Sequence, residues 1–291
     1  MTETDVVGTP TTDTQRNRAP NATVVRDAPA HTGSPATRAL GLAAVGLSVL
    51  WGLYGLVWSP PEVDMGDVVR LLYVHVPAAT LLYVACALTT VSSAMWLRRR
   101  SSGWDALAVS AAELAAIFGA LTLFTGAIWG RPTWGTYWTW DPRLTTTALL
   151  EVLIIGYLAL RRVEPSGGVG GYTPAAVLGL LLLPNVVIVR YSVDWWRSLH
   201  QGATLNTLTP TIEGDMLVAL VLGLLTGALV FIWLLVHRFR VAHLAQQVER
   251  HDLDAAIAAR RAELHPAETR VGQGGSGGTA SATRHSQEHA P

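Results

Sequence analysis

Six long apolar stretches constrain this chain more than any other feature of its sequence. They run roughly over residues 39–58, 71–97, 104–129, 144–160, 174–190 and 215–236. A helix needs about 20 residues to cross roughly 30 Å of hydrocarbon, so the fourth and fifth runs must draw on their flanks. In lipid no water satisfies the backbone, so only helices and closed barrels span it. Barrel strands alternate apolar and polar residues, and these runs do not. The expectation is an all-α integral membrane protein, a six-transmembrane-helix bundle in contact with membrane lipid. Only 14% of the residues are charged, against about a quarter in soluble domains. The formal net charge is zero, so no nucleic-acid partner is expected. A single cysteine, Cys86, excludes an intrachain disulfide and a CxxCH site for covalent haem attachment.

Arginine in short connections sets the orientation. Arg98, Arg99 and Arg100 follow the second run, Arg161 and Arg162 the fourth, and Arg238 and Arg240 the sixth; Arg38 precedes the first. All fall on one face, which places both termini in the cytoplasm. Residues 1–37 are polar and lack the apolar core of a cleavable signal, and the first run reads as a retained anchor. Three regions follow: a disordered cytoplasmic tail over 1–37, a membrane domain over 38–240, and a cytoplasmic tail over 241–291. That last tail begins helix-prone and ends Gly/Ser-rich and disordered.

With this topology the stretch "WGTYWTWD", residues 134–141, is an external Trp-rich loop between the third and fourth helices. Tryptophan favours both membrane interfaces, but the distribution here is lopsided. Trp58, Trp129, Trp134, Trp138, Trp140, Trp195 and Trp196 fall at the outer end; Trp96, Trp104 and Trp233 fall near the inner end. Two readings stand: an aromatic belt, or a platform for something flat and apolar outside. The histidines divide similarly. Seven of the nine lie in the polar tails, leaving His75 at the outer end of the second helix and His200 between the fifth and sixth. Each is either a structural hydrogen-bonding residue or a metal ligand, and imidazole is a common ligand of haem iron.

Haem suits the neighbouring residue types as well. Its macrocycle stacks on indole faces and its propionates suit arginine forks. Arg70, Arg131, Arg143, Arg190 and Arg197 are all at the outer end; some of them snorkel to the interface, and Arg70 and Arg143 are the candidate propionate partners. A helix through the loop would put Trp134, Trp138 and Asp141 on one face, whereas an extended segment would align Trp134, Trp138 and Trp140. Pro132 and Pro142 are expected to prevent a long helix through either end of it. Asp141 also reads as an N-cap, with Pro142 at the first helical position. Glu113 and Glu151 lie within helices, where an acid is functional by default, yet no partner is visible for either. Pro77 and Pro184 are candidate helix breaks.

The segments "YVHVPAAT", "TGAIWGRPTWGTYWTWDPRLT" and "NVVIVRYSVDWWRSLHQGATL" together resemble the haem-handling protein C of the cytochrome c maturation pathway (CcmC, the haem exporter protein C family). The resemblance covers residues 39–240. That family has six helices, cytoplasmic termini and a WGxxWxWD motif in an external loop, matched here by residues 134–141. The motif alone would also suit the haem lyases of the other cytochrome c pathway; the two histidine segments distinguish the families. The resemblance implies a multi-pass protein of the cytoplasmic (inner) membrane that binds haem b, iron protoporphyrin IX, transiently at the periplasmic face. His75 and His200 would be the axial ligands. Trp134, Gly135, Trp138, Trp140 and Asp141 would form the haem-binding motif. Implied partners are a membrane-anchored periplasmic haem chaperone, a small single-helix accessory subunit and an ABC-type ATPase/permease pair. No independent catalytic centre is expected. A transporter moving haem across the bilayer is the alternative, and it would need a polar path through the core or broken helices.

Overall fold

The computed structural model describes residues 33–163, 172–200 and 214–264. Of the tail expected to be disordered over 1–37, residues 1–32 lie outside the described residues and a helix already begins at Pro35; the Gly/Ser-rich end of the 241–291 tail also lies outside them, as do 164–171 and 201–213. Helix α1 (Pro35–Trp51) runs on into a wider π-helical segment, Gly52–Trp58, and a 3-10 turn, Asp67–Leu71, leads into α2 (Leu72–Arg99). Then come α3 (Ser102–Trp134), α4 (Pro142–Val163), α5 (Thr173–Leu180), α6 (Leu182–Trp195) and α7 (Gly214–Leu264). With α1 joined to its π segment and α5 to α6, six helical units among the described residues are long and apolar enough to cross a membrane. Among the described residues there is no β-strand beyond one isolated bridge, Glu62 to Gly66. The all-α, six-span expectation holds.

Helices α2 and α3 form the central pair, with α4, α6 and α7 packed around them. Small residues let the central backbones approach: Ala78 and Ala85 of α2, with Ala111 and Ala115 of α3, are buried. Lipid is as apolar as leucine, so such contacts hold by van der Waals packing and interhelical hydrogen bonds. Phe118 and Phe231 seal α3 against α7, with ring centroids 5.8 Å apart.

The prolines behave differently from one another. Pro77 does not break α2, although it cannot donate a hydrogen bond to the carbonyl of Tyr73. Gly223 of α7 passes so close to that carbonyl that a Cβ added to it would lie 2.7 Å from the oxygen. At Pro184 the expected break occurs: α5 stops at Leu180, the residue whose carbonyl Pro184 cannot serve, and α6 restarts at Leu182. Pro132 corrects the expectation that it stops a helix. Helix α3 continues through it to Trp134 and ends where Gly135 turns left-handed, at φ 81°.

One end of the bundle is clamped by charge. Asp105 of α3 is buried and accepts a bidentate pair from Arg161 of α4, at 2.6 and 2.7 Å, plus a hydrogen bond from Gln246 of α7 at 2.6 Å. Arg100 donates to Thr173 Oγ1 at 3.0 Å and lies over Trp96. Glu113, partnerless by sequence, is paired with Arg238. Most of the arginines that set the orientation therefore sit at the end opposite the tryptophan loop.

Candidate functional site

Helix α3 carries the site on one face. Thr122, Thr125 and Trp129, spaced three and four apart, project the same way, and the helix ends one turn later at Trp134. His75 of α2 packs on the lower part of this face. Its Nδ1 lies 2.9 Å from Thr125 Oγ1, across 50 residues of sequence. Gly126 makes room for the ring, since a Cβ there would fall 3.1 Å from His75 Cε1.

His200 packs on the upper part. Its ring centroid is 6.3 Å from that of Trp129 and 6.3 Å from that of Trp134, and the two indoles meet edge to face at 5.8 Å. Gly126 and Trp129 are three residues apart, about 4.5 Å along the axis at ~1.5 Å per residue. The two histidines therefore meet α3 at successive levels, His75 beside Gly126 and His200 through the Trp129 ring.

Asp141 ties the site together. Its Oδ1 accepts the Arg143 N–H at 2.9 Å, capping α4 as the sequence indicated, and the Ser198 hydroxyl at 3.0 Å. Its Oδ2 accepts the Leu199 N–H at 2.7 Å, while Ser198 Oγ accepts the His200 N–H at 3.0 Å. The carboxylate is buried and turned onto its own backbone, so it positions the segment that bears His200.

The motif tryptophans divide. Trp134 belongs to the His200 cluster, whereas Trp138 and Trp140 meet each other edge to face at 5.8 Å on the surface loop, Trp140 being 82% exposed. Gly135 supplies the left-handed turn between the two groups, and its carbonyl accepts from Arg131 at 2.5 Å. An open cleft of about 390 Å³ lies beside them, lined by Thr139, Trp140, Asp141, Pro142, Arg197, Ser198 and Leu199.

The two candidate propionate partners are placed apart in role. Arg70 donates to the carbonyls of Leu56 and Ser59, both at 3.1 Å, and pairs with Asp67, so it closes the end of the first span. Arg143 donates Nη2 to the Arg190 carbonyl at 2.9 Å, and both it and Arg70 keep a buried Nε with no hydrogen-bond partner among the described residues. Sequence reasoning left Thr125 and Trp129 unassigned, although both lie in the quoted "TGAIWG"; their shared helix face was the available signal.

Among the described residues no group of three or more His, Cys, Asp or Glu stands together to hold a metal ion. Two imidazoles suit a metal that arrives with four ligands of its own, as haem iron does. Fold and site thus define a six-span helical membrane protein with an aromatic, two-histidine site at one end of the bundle. A family model, described as heme exporter protein C (CcmC), matches residues 28–254. The chain belongs to the heme exporter protein C family.

Among its relatives is the heme exporter protein C of Haemophilus influenzae, 35% identical over 224 residues, 75% of this chain and 87% of that protein. The heme exporter protein C of Bradyrhizobium diazoefficiens is 35% identical over 195 residues, 66% and 73% of the two chains. The heme exporter protein C of Rhodobacter capsulatus is 38% identical over 170 residues, 57% and 69%.

Proposed function

We propose that this chain is a haem-transfer protein. It binds haem b transiently at the tryptophan-bearing end of the bundle, with His75 and His200 as axial ligands, and passes it to a membrane-anchored periplasmic haem chaperone for cytochrome c maturation. The protein lies in the cytoplasmic membrane with this end facing the periplasm and its arginine-rich end inside. A single-helix accessory subunit and an ABC-type ATPase/permease pair complete the assembly. The observation that carries the reading is the packing of His200 against Trp129 and Trp134, with Trp129 on the α3 face that also holds His75. The names of the relatives, heme exporter protein C, support haem as the cargo. Transport through the bilayer is the weaker reading: of the two acids within helices, Glu113 is engaged by Arg238, which leaves only Glu151, with a buried Oε2 lacking a hydrogen-bond partner among the described residues, to line a polar path.

Titrating the purified protein with ferric haem tests the proposal. A saturable Soret band is expected, and Trp134→Ala should weaken binding about ten-fold. Stacking on an aromatic ring is worth ~1–3 kcal/mol by analogy with nucleobases, and 1.4 kcal/mol is ten-fold. Unsaturable haem uptake, equal in the variant, would defeat the reading.

A further inference from the structure

Which nitrogen of His75 carries its proton follows from its neighbours. A threonine hydroxyl has one hydrogen to give and two lone pairs. Thr125 gives its hydrogen to the backbone: Oγ1 lies 2.7 Å from the Leu121 carbonyl one turn back, with the Thr122 carbonyl at 3.3 Å. Toward His75, 2.9 Å away, Oγ1 can then only accept. The Nδ1 side of the imidazole therefore meets an acceptor in Thr125, and Gly126 leaves room for the ring to lie close against α3.

We propose that Thr125 is a positioning residue that holds His75 as the tautomer protonated on Nδ1, so that Nε2 presents its lone pair to an incoming metal. The inference rests on the reading of His75 as an iron ligand for its purpose, though not for its geometry. A ligand that must be taken up and released gains from this arrangement. The proton already sits on the nitrogen that the metal does not use, so iron can bind and leave without any proton being moved. The Nδ1–H···O bond also fixes the ring plane and raises the basicity of Nε2, as outer partners of metal-bound histidines commonly do.

Nitrogen-15 NMR of histidine-labelled, haem-free full-length protein reads the tautomer directly, because protonated and lone-pair ring nitrogens resonate far apart. The His75 signals are assigned by their loss in His75→Gln. The expected result is a protonated Nδ1 and a bare Nε2 in the wild type and in Thr125→Ser. Thr125→Val removes the acceptor, and a large share of the ring should shift to the Nε2–H form. Wild-type His75 carrying its proton on Nε2, or a Thr125→Val spectrum identical to wild type, would overturn the proposal. If Thr125→Val does not fold, the wild-type spectrum still decides. The same variants, loaded with ferric haem, separate this proposal from the functional reading. An altered haem spectrum in His75→Ala beside an unaltered one in Thr125→Val sinks the positioning role alone. An unaltered spectrum in His75→Ala sinks the ligand assignment instead.

Discussion

Asp141 shows how one carboxylate serves two loops. It caps α4 through the Arg143 N–H and holds the segment before His200 through Ser198 and Leu199. Asparagine caps helices about as well as aspartate, so Asp141→Asn should spare the start of α4. Its amide, however, offers a donor where the protein offers only donors. Leaving a buried donor unsatisfied costs about 1–3 kcal/mol. The expected outcome is selective: faster hydrogen exchange at Leu199 and His200, haem affinity lower by about ten-fold, and protection of the α4 amides unchanged. Equal loss of protection in α4 would mean that Asp141 acts mainly as a cap. Thr125 and Asp141 thus play matched parts, one orienting the His75 ring and the other carrying the His200 backbone.

At the scale of elements, hydropathy places the spans well because lipid leaves the backbone few alternatives. Their ends are harder to read. Pro132 lies near the end of α3, where losing one hydrogen bond is tolerable, and the helix runs to the residue before Gly135. The motif therefore does not form one helix or one extended segment; it splits into a helical Trp134 and a loop bearing Trp138 and Trp140. Asp141 was legible as a cap, because that role depends on residues beside it in sequence. The pairings of His75 with Thr125, Glu113 with Arg238 and Asp105 with Arg161 were not, since 50, 125 and 56 residues separate the partners. The contact of α2 with α7 is equally tertiary. A Cβ at Gly223 would meet Tyr73 O at 2.7 Å and Trp51 Nε1 at 2.9 Å, and a backbone oxygen cannot swing aside. Gly223→Ala should therefore destabilise the protein by about 1–3 kcal/mol, as overpacking does. Gly46→Ala meets nothing within 4 Å and should be neutral or stabilising, gaining up to about 1 kcal/mol of helix propensity. Thermal unfolding in detergent compares the two, and equal melting temperatures would contradict the close α2–α7 approach.

Across the whole molecule the two ends differ in chemistry. The arginine-bearing end is locked by Asp105, Arg161 and Gln246, with Glu113 and Arg238 nearby; the opposite end gathers the aromatic and imidazole groups. In a Cys86→Ser background, a cysteine at Thr136 should react with a membrane-impermeant thiol reagent from the periplasmic side, and one at Arg99 only after the membrane is opened. The reverse pattern would place the site on the wrong face for delivery to a periplasmic chaperone. The central claim is that His75 and His200 share one iron. The absorption spectrum of the ferric haem-loaded protein tests it most directly, comparing wild type with His75→Gly and His200→Gly, each with and without added imidazole. A six-coordinate low-spin spectrum is predicted for the wild type. Each variant should shift toward high spin and recover in part when imidazole fills the vacated position. Unchanged low-spin spectra in both variants would show that other residues hold the iron.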